Sequence, residues 1–164
     1  DGLPAIALGL EPAEADVMQR PPRGKNESVF SHGLAATILT RGLLIGLTTL
    51  GVFYTLYHQT GDLATARTAG LLTLVLTQLI HVFECKSETR GLFSIPLLNN
   101  RALLLAVLVS MFFMYLVLYH PFFASIFRTV PLDGGALACV GGFCLAVPVL
   151  SSIILRIKRR ARRQ

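Results

Sequence analysis

The chain has 164 residues, of which 53% are hydrophobic and only 15% are charged, and its mean hydropathy is +0.62. These values exclude an ordinary soluble globule and are typical of a membrane protein. The formal net charge of +6 comes from one place, because residues 156–164 carry six Lys or Arg and the other nine balance the nine Asp and Glu. A basic tail beside a hydrophobic helix favours anionic membrane lipid as a partner and not nucleic acid.

Residues 1–10, DGLPAIALGL, predict the last part of a membrane helix, because so many apolar side chains would be costly to expose in a loop. Residues 11–33 mix acids, Arg and two adjacent prolines and are predicted to lie in water. Asp1 then lies roughly 15 Å deep, near the middle of the bilayer, at the helical rise per residue. The chain begins with Asp and has no visible signal peptide, so we expect a fragment of a longer protein.

A carboxylate at that depth needs a partner, because an unpaired charge there costs a few kcal/mol or more. Gly2 and Pro4 weaken the helix beside Asp1, and broken membrane helices offer backbone carbonyl oxygens to ions. Carboxylate and carbonyl oxygens are the ligands of hard divalent cations. Asp1 is therefore a candidate metal ligand, although a loop residue or a protonated, hydrogen-bonded carboxyl would also fit the pattern.

Four long apolar segments follow, and each is long enough to cross a bilayer as a helix. They are predicted at about 34–57, 64–83, 102–119 and 135–155, and a basic tail follows at 156–164. Short linkers predict that neighbouring helices are antiparallel. The expected fold is an all-α membrane protein, in which four transmembrane helices (34–155) form an antiparallel bundle preceded by the end of a fifth, broken helix.

The distribution of Lys and Arg predicts the orientation of this four-helix unit. Twelve lie before the first span, after the second and in the tail, whereas only Arg67 and Arg128 lie on the opposite side. Both ends of the unit are therefore expected to be cytoplasmic. Arg41, about two turns inside the first span, is expected to extend its side chain towards the cytoplasmic interface.

Smaller features give weaker predictions. Gly42 and Gly46 form a GxxxG pair that either permits close helix packing or occurs by chance. Pro148 is expected to kink the last span, and Pro121 to end the third. The three cysteines form no CxxC pair, so a disulfide or a zinc site is not favoured.

The stretch DGLPAIALGLEPAEADVMQRPPR closely resembles the end of the sixth transmembrane helix and the next cytoplasmic loop of type II P-type ATPases, especially reticulum-type and bacterial calcium pumps. The resemblance implies that Asp1 ligates the transported calcium. It also implies that residues 11–33, with Glu14, Asp16 and Arg20, couple the ion site to the phosphorylation domain. A merely solvated charged loop is the alternative for these residues.

The resemblance also bears on Gln78. In reticulum-type pumps a glutamate of the eighth helix completes one of two calcium sites, and alignment on Ser87 and Glu88 places Gln78 there. An amide oxygen can still bind an ion but adds no charge, so one ion per cycle is expected. His81 and Glu84 have a spacing that can bind metal, but local packing is the preferred interpretation.

The sequence lacks the phosphorylation motif, the nucleotide-binding domain and the actuator motif of this family. The chain is therefore not expected to be catalytic alone, and Mg²⁺ and ATP belong to the full-length enzyme. The leading hypothesis is the C-terminal membrane domain of an ATP-driven cation export pump, with calcium as the expected ion and a prokaryotic plasma membrane as its location. The remaining pump domains would be its partners. The alternatives are a stand-alone four-helix scaffold or pump-associated subunit without transport activity, and a pump for manganese, sodium or protons.

Overall fold

The computed structural model describes residues 2–10, 34–86 and 100–161, with side chains up to residue 150. The regular structure in these ranges is helical: α1 (Gly2–Leu8), α2 (Leu34–Thr60), α3 (Leu63–Glu84), α4 (Arg101–Tyr119), α5 (Pro121–Phe127) and α6 (Gly134–Ala161). Helices α2, α3 and α4 are long and apolar enough to cross a membrane, and α6 contributes a shorter apolar stretch, Gly134–Leu150. The predicted all-α membrane fold is confirmed.

A tight turn joins α2 to α3 and makes them an antiparallel hairpin. Gly61 has a φ of 67°, a left-handed conformation that glycine adopts without steric cost, and its N–H donates to the carbonyl of Tyr57 at 2.9 Å. Asp62 then caps α3, because its carboxylate accepts from the N–H groups of Ala64 and Thr65 at 3.2 and 2.9 Å. These bonds satisfy one carbonyl at the end of α2 and two N–H groups at the start of α3.

Helix α3 lies at the centre of the described helices and packs against α2 and α6. The main buried cluster combines residues of four helices and the segment before α6: Val52, Leu56, Ala69, Leu72, Met114, Leu118, Leu132, Ala136, Val140 and Cys144. Two fully buried threonines, Thr73 and Thr77, donate to backbone carbonyls four residues earlier at 2.7 Å. This bond satisfies a hydroxyl inside an apolar core without a partner from another helix.

The largest apolar side chains of α2 and α4 point outward, as expected where lipid replaces water. These exposed residues include Leu39, Leu43, Leu47 and Leu50 on α2, and Leu105, Leu108, Phe112 and Tyr115 on α4. Gly42 and Gly46 have open space beside them, so no described helix uses the GxxxG pair and its packing role remains a prediction. Gly51 is the glycine of α2 at a close approach, since a Cβ there would lie 2.9 Å from the Phe143 ring of α6.

The connection between α4 and α6 contains a helix that the sequence interpretation missed. Pro121 does follow the end of α4, but it also begins α5, because the first helical position needs no N–H and suits the fixed φ of proline. After α5 the chain folds back on the bundle: the Thr129 hydroxyl donates to the carbonyl of Val117 at 2.6 Å, and the Val130 N–H donates to the Thr68 hydroxyl at 3.1 Å. Helix α6 continues through Pro148, and the predicted kink there remains a prediction.

Candidate functional site

Four of the predicted site residues, Asp1, Glu14, Asp16 and Arg20, lie outside the described residues. The adjoining helix α1 is described, and it differs from the expectation. Gly2 and Pro4 were expected to weaken the helix beside Asp1, but residues 2–4 are helical.

Helix α1 packs chiefly against α4 and also touches α3. Ala7 forms a buried cluster with Leu103 and Ala106 of α4, and Val82 and Phe83 of α3 pack against it. The two alanines allow α1 and α4 to approach closely. Helix α1, which follows the candidate metal ligand Asp1, is thus fixed at one end of the groove between α3 and α4.

A buried asparagine joins α1 to α4 by hydrogen bonds. Asn100 is 6% exposed and caps α4, since its Oδ1 accepts from the Leu103 N–H at 2.9 Å. Its Nδ2 donates to the carbonyl of Ala7 at 3.0 Å, across 93 positions of sequence. The sequence interpretation missed this residue, although an Asn directly before a long apolar run is a helix-start signal.

Gln78 lies further along the same groove. It is half-buried and lines an open cavity of about 390 Å³ between α3, α4 and α5. Ser110 adds a second polar group to the lining, and the remaining wall is apolar: Leu71, Val75, Leu79, Phe113, Met114, Val117 and Phe127. Gln78 is one helical turn from Val82 and Ser110 is one turn from Ala106, so the cavity continues the groove in which α1 lies.

A cross-helix ion pair lies where α2 begins and α3 ends. Arg41 of α2 pairs with Glu84 of α3, and the two side chains are 14% and 2% exposed. The Arg41 side chain thus reaches the last residue of α3, and its predicted extension to the cytoplasmic interface remains a prediction. The pairing compensates both charges at once in a place that water reaches poorly.

His81 joins the same pair through its ring nitrogen Nδ1. Its Nδ1 lies 3.3 Å from Glu84 Oε2 and 3.5 Å from an Arg41 guanidinium nitrogen, while Nε2 lies 3.6 Å from Cys85 Sγ. The two ring nitrogens thus face different partners, and the Glu84 carboxylate is paired with the Arg41 guanidinium. Among the described residues no three His, Cys, Asp or Glu are grouped to hold a metal ion. The contacts of His81 and Glu84 with Arg41 agree with the preferred interpretation of local packing.

Comparison with known proteins assigns this arrangement to a family. The family model described as "Cation transporting ATPase, C-terminus" matches residues 1–158. A calcium-transporting ATPase of Bacillus subtilis is 46% identical over 136 residues, which cover 82% of this chain and 15% of that protein.

Two further relatives cover nearly the whole chain. The human calcium-transporting ATPase type 2C member 1 is 30% identical over 97% of this chain and 17% of its own length. A calcium-transporting ATPase of Listeria monocytogenes is 32% identical over 98% of this chain and 18% of its own length. The chain therefore spans less than a fifth of these relatives. It belongs to the P-type cation-transporting ATPase family and corresponds to the C-terminal membrane region of those pumps.

Proposed function

We propose that this chain is the C-terminal membrane domain of an ATP-driven pump that exports calcium. The observation that carries the proposal is the 46% identity to a protein named a calcium-transporting ATPase, over 82% of the chain. The other relatives described above carry the same kind of name. ATP and Mg²⁺ would act in the rest of the polypeptide, through an aspartyl-phosphate, and those domains would be the principal partners of this one.

Asp1 is the proposed ligand for the transported ion, and Gln78 is a weaker second candidate. Asp1 is bonded directly to the first residue of α1, and α1 packs into one end of the groove between α3 and α4. Gln78 lines the continuation of that groove, which supports a position near the ion path. Because an amide brings no charge, we expect one calcium ion per cycle.

Residues 11–33 are proposed to couple this ion site to the phosphorylation domain, with Glu14, Asp16 and Arg20 as the contacts. The support is their position in the chain, since they directly follow the end of α1. Because residues 11–33 follow α1 in the chain, a displacement of α1 would also displace the start of this segment.

The four-helix unit is proposed to have both ends in the cytoplasm of a prokaryotic cell, with the helices in its plasma membrane. Twelve Lys and Arg lie on that side of the unit, against two on the other. The basic residues 156–164 would then lie at the inner leaflet, where anionic lipid attracts them.

The experiment is a calcium titration of phosphoenzyme formation from ATP with the full-length pump and its Asp1→Asn variant. Loss of one ligand charge should raise the half-saturating calcium concentration by about 100-fold or more, because ion affinity depends on ligand charge. Asp133→Asn is the control, since Asp133 caps α6 through the Ala136 N–H at 2.9 Å and lies away from α1. An unchanged titration in Asp1→Asn would refute the ligand assignment.

The same titration with manganese, sodium and proton concentration varied in turn decides the ion. Dependence on calcium alone supports the proposal. Phosphorylation that follows another of these ions, and not calcium, would refute the assignment of calcium while leaving the pump family intact. Gln78→Ala should weaken calcium binding by less than Asp1→Asn, and a larger effect would reverse the order of the two candidates.

A further inference from the structure

We propose that Asn100 is a positioning residue for the transported ion: it holds α1 against α4 and thereby sets the apparent calcium affinity. This inference rests on the proposed function. It concerns a residue that does not itself touch the ion. The observation behind it is the pair of hydrogen bonds that one amide side chain makes to two different helices.

The side chain of Asn100 does two jobs with two separate groups, which neither an ionised carboxylate nor the single, shorter-reaching hydroxyl of serine provides. Its oxygen accepts from the Leu103 N–H at 2.9 Å, and its NH₂ group donates to the Ala7 carbonyl at 3.0 Å. A carboxylate accepts only, and a serine hydroxyl donates one hydrogen on a shorter side chain. Only the second bond connects α1 to α4, so the two jobs can be separated by substitution.

The bond between Asn100 and Ala7 lies in a dry contact. Ala7 and Leu103 are 5% and 0% exposed, and Asn100 itself is 6% exposed. The Ala7 carbonyl also accepts from the Leu10 N–H at 3.2 Å, so loss of the amide removes one of its two partners, and water does not replace that partner in a dry contact. Because the Leu10 N–H belongs to the same end of the chain as α1, the Asn100 amide is the partner that restrains where the end of α1 lies against α4.

Helix α1 transmits this restraint towards Asp1. Ala7 is five residues beyond the first helical residue, about 7.5 Å along the axis, and a short helix moves as a rigid rod. Without the restraint, α1 occupies several positions against α4, and only a fraction of them presents the ion ligand correctly. The apparent dissociation constant rises in inverse proportion to that fraction.

The test measures calcium-dependent ATP hydrolysis by the full-length pump and two variants. Asn100→Asp keeps an oxygen to cap α4, and Asp caps as well as Asn, but it loses the donor to Ala7. Asn100→Ser also keeps a cap and is too short to reach Ala7. Asp133→Ala is the matched control, because it removes only a helix cap, the one that accepts from the Ala136 N–H.

Both Asn100 variants should raise the half-saturating calcium concentration about tenfold and leave the maximal rate within about twofold. A general folding defect would instead lower the maximal rate, because fewer molecules would be active. The control should change neither value. If the wild-type pump responds to calcium and both variants keep its half-saturating concentration, or lose only maximal rate, Asn100 does not position the ion. If the wild-type pump does not respond to calcium, the proposed function fails first, and this inference fails with it.

Discussion

Glu84→Gln should destabilise the membrane domain more than any exposed substitution, because it leaves Arg41 buried without its charge partner. The two side chains are 2% and 14% exposed, so water reaches neither well. Breaking a buried pair by removing one partner costs about 3–5 kcal/mol. We expect a loss near the lower end of this range, because water still reaches part of the Arg41 side chain and a ring nitrogen of His81 lies 3.5 Å from its guanidinium.

The assay is the rate of irreversible thermal inactivation of the full-length pump in detergent, which suits a protein of several domains better than an equilibrium midpoint. A loss of about 3 kcal/mol, if the pair is absent from the transition state of unfolding, corresponds to inactivation on the order of 100-fold faster. Arg41→Met should have a similar effect. Arg67→Met, at an exposed position of the same hairpin, is the control and should stay within about twofold.

The double variant Arg41→Met with Glu84→Leu completes a cycle that isolates the pair. Replacing both charges by apolar groups removes the unpaired charge, so the double variant should be more stable than either single variant. Additive losses in the double variant, or a Glu84→Gln protein that inactivates at the wild-type rate, would show that Arg41 and Glu84 do not form a buried pair.

Two further substitutions test the packing and the turn. Gly51→Leu should speed thermal inactivation by separating α2 from α6, because its Cβ would lie 2.9 Å from a Phe143 ring atom. Gly42→Leu is the control, since its side chain would face open space and should not change the inactivation rate. Equal effects of the two substitutions would contradict the contact between Gly51 and Phe143. A hydrogen bond from the Thr65 hydroxyl, with two from backbone N–H groups, lowers the pKa of Asp62 below its usual 3.8. The Asp62 cap should therefore stabilise α3 fully above about pH 3.8, and this stabilisation should fall as the pH drops through the lowered pKa. Asp62→Ala should remove that acid-dependent part of the inactivation rate, and an unchanged pH profile would contradict the cap.

The sequence alone predicts the fold class well, because a lipid environment requires long, uniformly apolar helices that are visible in composition. Its errors occur where one residue has two structural uses. Pro121 was interpreted as the end of a helix, but it also begins α5.

The side-chain pairs could not be predicted, since they depend on how the helices are rotated against each other. Arg41 and His81 are in contact although they are 40 positions apart in the sequence, and Asn100 and Ala7 are hydrogen-bonded although they are 93 positions apart. Local patterns predict that Asn100 caps a helix, but they contain nothing about its second partner. Asp1 and the acidic loop residues lie outside the described residues, so their roles remain predictions.

The ion pair between α2 and α3 also bears on how the protein is made. Helix α2 is synthesised before α3, so Arg41 leaves the ribosome before Glu84 exists. An arginine inside a single helix makes entry into the bilayer more costly, by up to about 2.5–3.5 kcal/mol at the helix centre. Once the turn at Gly61 and Asp62 brings α3 alongside, the two charges neutralise each other. Pairing with α3 therefore lowers the cost of keeping Arg41 of α2 in the bilayer, and this stabilisation is complete only when the chain has been made as far as Glu84.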